Sequence, residues 1–177
     1  IFLMAVIVII GPLSTESQVP ALHNIEQDFN TTSYLVQLSI TIYMLFYGGS
    51  QLFFGTISDV LGRKKVLIFG LILYFSMSIG CALSPSIYIL IICRAIMAIG
   101  GGIGNVIIYA VIRDLFHDPK KRRFYFSIIS GVKPVIIASS PIFGGVVTHY
   151  LGWRYIYFII SGIAFILLLI SMIFFPE

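Results

Sequence analysis

Gly55-Thr-Ile-Ser-Asp59-Val-Leu-Gly62-Arg63-Lys64-Lys65 is the stretch on which the reading of this chain turns. It sets a carboxylate and a run of cations between glycines, in a chain of which only 10% of residues are charged. Glycine lets the backbone reverse tightly between closely packed helices, and opposite charges at such a turn give the exposed helix ends partners. The flanks decide what surface the turn lies on. Tyr34–Gly55 before it and Val66–Leu83 after it are apolar, each near the roughly 20 residues that a helix needs to cross about 30 Å of hydrocarbon. A charged turn between two such runs belongs at a membrane surface.

The pattern repeats along the chain. Further apolar segments run Ile1–Ala21, Ile87–Val111, Phe124–Val147 and Tyr155–Phe175, so six spans are expected in all. The first is interrupted by Pro12, Glu16 and Pro20, which a membrane tolerates where neighbouring helices or a water-filled cavity satisfy the freed backbone groups. Composition agrees: 59% of the 177 residues are hydrophobic and mean hydropathy is +1.04, against about 45–50% apolar and about 25% charged in soluble domains. A net charge of +4 does not signal nucleic acid, because the cations sit in short clusters between apolar runs and form no basic face interleaved with aromatics. Cys81 and Cys93 lie inside apolar runs without CxxC or Cys/His spacing, which excludes a disulfide framework and a zinc site.

Orientation follows from the loops. Arg63, Lys64 and Lys65 follow segment two, and Lys120, Lys121, Arg122 and Arg123 follow segment four, whereas the first loop holds Glu26 and Asp28 and no cation. Basic loops stay cytoplasmic, so both chain ends are expected there and the loops at Leu22–Ser33, Ser84–Ser86 and His149–Arg154 outside. An offset of about 90 residues pairs Ser50 with Ser140, Phe53 with Phe143, Gly55 with Gly145, Leu61 with Leu151, Gly62 with Gly152 and Lys64 with Arg154. Three helices separate the copies, which gives them opposite topology: an inverted 3+3 repeat, residues 1–83 and 87–175. The whole of 1–177 reads as one six-helix bundle, an all-α membrane protein.

Two further motifs carry a family resemblance. Arg94-Ala-Ile-Met-Ala98-Ile-Gly100-Gly101-Gly102-Ile-Gly104-Asn105 leads to Arg113-Asp114 in segment four. Its glycines do not complete G-x-G-x-x-G and no strand precedes them, so a dinucleotide loop is rejected; Gly100 and Gly104 have the small-xxx-small spacing of close membrane-helix packing. Ser140-Pro141-Ile-Phe-Gly144-Gly145 in segment five sets a proline beside glycines, a combination that bends a helix and admits a neighbour. Together with Gly55–Lys65 these resemble the signature loop, helix-four motif and antiporter motif of the major facilitator superfamily, and the segment-one pattern Gly11-Pro12-Leu13-Ser14, Glu16, Pro20 resembles its Bcr/CflA drug-resistance branch. Ser140 departs from the glycine of the general antiporter motif, and Glu16 stands where that branch commonly has aspartate.

The resemblance implies an N-terminal transporter half working with a C-terminal six-helix half and inactive alone. It implies drug:proton antiport across a bacterial inner membrane, with no cofactor. Gly55, Asp59, Gly62, Arg63 and Asp114 take the part of a conformational latch, Arg63 pairing with Asp114 and Asp59 capping a helix of the other half. Pro141, Gly144 and Gly145 pack helices. Glu16 and Arg94 are the proton-coupling pair, because a carboxyl group in an apolar span resists ionisation and a nearby cation opposes that effect, so its proton can come and go as its surroundings alternate. Lys133 and Asn105 are candidates for the substrate cavity, Lys133 either facing it or snorkelling. Export of a metabolite such as a sugar, amino acid or siderophore-like compound is the competing function, and a non-transporting membrane scaffold a more distant one. Paired carboxylates, a nucleophile with its base and a metal-ligand cluster are missing from the sequence, which argues against an enzyme.

Overall fold

The computed structural model describes residues 2–174 as helices joined by short turns. α1 (Phe2–Gln18) continues through a 3-10 turn (Val19–Ala21) into the short α2 (Leu22–Asp28); α3 (Ser33–Leu61), α4 (Arg63–Ala82), α5 (Ile87–Leu115), α6 (Pro119–Tyr150) and α7 (Arg154–Phe174) follow. Six candidate spans result, α1 to α2 counting as one. The expected span ends at Ile1 and Phe175 lie outside the described residues.

Two sequence expectations need correction. The loop expected at Leu22–Ser33 is helical as far as Asp28, because Pro20 occupies the first turn of the 3-10 segment, where a missing N–H leaves nothing unpaired. The helices also overrun their apolar cores. α3 extends to Leu61 and α6 begins at Pro119, well into the basic loop. Asp118 caps α6, its carboxylate accepting from Lys120 N at 2.9 Å, so the polar turn favours helix there as well.

α5 is the hub. It packs on α1, α3 and α4, while α4 also packs on α7 and α1 on α6. Of the best apolar window in α5, 72% is buried, against 11% in α3 and in α6. Small residues make this possible. A Cβ at Gly102 would fall on Ser50 Oγ and 2.6 Å from the Tyr47 carbonyl oxygen, and one at Gly100 would stand 2.8 Å from Tyr74 N. Gly100 therefore seats α4, Gly102 seats α3, and Gly104, facing Ile7, seats α1. The pair expected to form one small-residue stripe serves two different neighbours, and the tightest contact belongs to Gly102, which the spacing rule passed over.

Candidate functional site

Inside its apolar span α1 carries a polar run, Ser14-Thr15-Glu16-Ser17-Gln18. Ser14, Thr15, Ser17 and Gln18 are buried; Glu16 alone in the run is half-buried. It lines a cleft of about 240 Å³ between α1 and α3 with Pro12, Thr15, Tyr43, Met44, Tyr47 and Gly48. Gly11 admits the aromatic wall, since a Cβ there would come within 2.8 Å of Tyr47 Cε2. Tyr43 donates its hydroxyl to the Gly11 carbonyl at 3.2 Å and Tyr74 donates to the Ile10 carbonyl at 2.8 Å.

Arg94 lies elsewhere. It is fully buried, donating from one terminal nitrogen to Tyr157 Oη at 3.1 Å, with its guanidinium carbon 5.0 Å from the centre of the Tyr43 ring. Nε and the other terminal nitrogen have no partner, and no carboxylate comes within ion-pair distance among the described residues. Glu16 and Arg94 form no ion pair; Tyr43, on whose ring the arginine rests, is also one of the residues that line the Glu16 cleft. The residue-type pattern placed both charges in the span, but which face each helix presents is set by packing against α3 and α7.

At the opposite, basic end the residues brought together are those expected. Gly62 adopts φ +94°, a left-handed conformation that costs glycine little. Arg63 then reaches Asp59 as an ion pair, Asp114 Oδ2 through Nε at 3.2 Å, and Ser58 Oγ at 2.7 Å. Ser58 and Asp59 come from α3 and Asp114 from the last turn of α5, so one guanidinium joins three helix ends. Asp59, Arg63, Gly55, Tyr109 and Arg113 help to line a cleft of about 380 Å³ beside it.

Residues 4–177 match the family profile described as Major Facilitator Superfamily. The chain belongs to that superfamily. Relatives include a chloramphenicol resistance protein of Pseudomonas aeruginosa, 30% identical over 149 residues that make up 84% of this chain and 36% of the relative. Citrate exporter 1 of Aspergillus niger is 32% identical over 169 residues, 96% of this chain and 32% of the exporter. The fold of a solved peptide transporter superposes with a TM-score of 0.83 at 16% identity, covering 97% of this chain and 36% of that one. The chain spans about a third of the length of these proteins, and its six helices are half of a major facilitator fold in a multi-pass membrane protein.

The remaining candidates of this major facilitator chain divide. Asn105 is buried, donating Nδ2 to Gln51 Oε1 at 2.9 Å across α5 and α3; it ties helices rather than lining the Glu16 cleft. Lys133 is half-buried on α6 and makes no ion pair among the described residues. Gly144 lies so close to the Ser17 backbone that no Cβ fits, and a Cβ on Gly145 would stand 3.8 Å from Pro20; α6 runs unbroken through Pro134 and Pro141. Sequence reasoning missed the cluster at the other end of the bundle. Asp28 pairs with Arg154 and accepts from Trp153 Nε1 at 3.2 Å, while Arg154 also donates to the Ser84 carbonyl at 3.3 Å. Its signal was present in the pairing of Lys64 with Arg154 and in the acidic first loop.

Proposed function

We propose that this chain is the N-terminal half of a proton-coupled exporter of small amphipathic drugs or toxic compounds, set in a bacterial inner membrane with both ends in the cytoplasm. The observation that carries the reading is Glu16, an acid at membrane depth, half open in a cleft walled by Tyr43, Met44 and Tyr47. An acid there with no ion pair among the described residues marks an ion or proton path by default, because charge in hydrocarbon is costly unless it is used or hydrated. Aromatic and methionine walls suit flat, apolar compounds of varied shape. The resistance protein among the relatives supports a drug as cargo.

The Arg63 cluster acts as a latch between the two states, with Asp59 left to meet a helix of the C-terminal half. Inverted three-helix repeats fit the like left-handed conformations of Gly62 and Gly152. A second reading, export of an organic acid, draws on the citrate exporter, which matches 96% of this chain. Reconstitution in vesicles with a pH gradient tests these readings, using a fluorescent drug or labelled citrate, with and without a C-terminal half. The expected result is drug efflux only with both halves, abolished by Glu16→Gln. Efflux by the lone chain at densities too low for dimers, or a fully active Glu16→Gln, sinks the proposal; citrate in place of the drug selects the second reading.

A further inference from the structure

α3 borders two clefts. Tyr47 lines the one that holds Glu16, and Gly55, two turns farther along, lines the one beside Arg63. Gln51 stands between them on the same face, because positions four apart on a helix lie one above the other. On α5 the same spacing sets Asn105 before Tyr109 and Arg113, both in the wall of the Arg63 cleft. The two rows meet at one hydrogen bond, from Asn105 Nδ2 to Gln51 Oε1 at 2.9 Å, while Gln51 Nε2 donates to the Tyr47 carbonyl at 3.2 Å. On this face a pair of amides, not apolar side chains, separates one cleft from the other.

The bridge leaves polar atoms over. Asn105 is only 7% exposed, and its Oδ1 is buried with no hydrogen-bond partner among the described residues, as is Oη of Tyr47, one turn from Gln51. A buried oxygen without a partner is costly, and the single bond between the amides does not offset two of them. Water is the ligand that suits them, since it is small, can donate, and commonly partners buried polar atoms that the protein leaves unpaired. We propose that Gln51 and Asn105 form a hydrated septum, with water bound at Asn105 Oδ1 joining the Glu16 cleft to the Arg63 cleft. Gln51 is half-buried and Asn105 is not, so water enters on the Gln51 side. The inference rests on the proposed proton coupling at Glu16 only for its purpose, a polar route between that acid and the basic end; hydration of the pair is independent of transport.

Water-to-protein magnetisation transfer, read by solid-state NMR on the isotopically labelled 177-residue chain in bilayers, tests the septum. The fully buried Ile107 side chain on the same helix is the dry reference. Transfer to the Asn105 side chain is expected to be about fivefold faster than to Ile107. Gln51→Met, which keeps the length of the side chain but has no amide, should bring Asn105 down to the Ile107 rate. Gln51→Asn, which keeps the amide on a shorter stem, should retain the faster transfer. An Asn105 rate equal to that of Ile107 in the parent chain overturns the proposal, and so does a parent-like rate in Gln51→Met. A loss in Gln51→Asn equal to that in Gln51→Met overturns it as well, because bulk rather than the amide would then control the site. Fast transfer to Asn105 together with a fully active Glu16→Gln would sink the proton-coupling reading alone and leave the septum standing.

Discussion

Gly62, at φ +94°, leads directly from α3 into α4, and Gly152, at φ +100°, stands one residue before α7 in the turn after α6. The residue after each glycine turns inward to a carboxylate. At the basic end it is Arg63, on Asp59 and Asp114; at the other it is Trp153, donating to Asp28 while Arg154 beside it carries the charge. Arg154 further lies 4.4 Å from the Trp153 ring centre and 5.6 Å from that of Phe29. One backbone device thus serves two kinds of clasp. The basic-end clasp is almost purely ionic, and its acids belong to long helices. The clasp at Gly152 is half aromatic, and it binds the short α2 and the Ser84 turn to α7 as a fixed corner.

The largest test of this difference is Trp153→Ala. The indole is 4% exposed and meets Phe29 at 5.5 Å and Tyr157 at 6.1 Å, edge to face. Its loss should cost about 3–5 kcal/mol of stability, read by reversible unfolding in mixed micelles. A cost below about 1 kcal/mol would put the two clasps on the same footing and remove the contrast.

Glycine replacement comes next. Gly62→Ala and Gly152→Ala each meet open space, so only the left-handed backbone is strained. Each should lose about 1–2 kcal/mol by the same unfolding measurement. Equal losses sharpen the view of one backbone device with two chemistries; a neutral alanine at either turn breaks it.

Charge exchange has the smallest effect on folding and separates the clasps best. Both pairs are partly exposed, where ion pairs are worth about 0–1 kcal/mol. Arg63→Asp combined with Asp114→Arg should recover, in vesicles containing both halves, the efflux lost in either single variant, because the clasp needs only opposite charges across α4 and α5. Asp28→Arg combined with Arg154→Asp should not recover thermal stability, because the Ser84 carbonyl and the aromatic faces require a cation at 154. Recovery in both, or in neither, would erase the distinction.

Much of the architecture was legible because hydrocarbon imposes length and polarity on every span: six apolar segments and the charged turn at Gly55–Lys65 follow from local pattern, whereas the approach of Arg63 to Asp114 was expected only from the family resemblance. Helix ends were less legible. Pro20 and Asp118 extend or start helices in polar sequence, where no apolar period reports them. Gly102 could not be told from its glycine neighbours, since the partner that crowds it, Ser50, lies far away in sequence.

The same boundary runs through the site. From sequence alone come the class of protein, the number of spans, and an acid and a buried cation at membrane depth. Tertiary structure alone decided that Arg94 faces Tyr157 and Tyr43 while Glu16 opens into a cleft between α1 and α3. The physical reason is rotational. Hydrophobicity reports how deep a residue sits along a span, but in an apolar helix with no polar face its direction is set by which neighbours admit its backbone, and those contacts come from other helices.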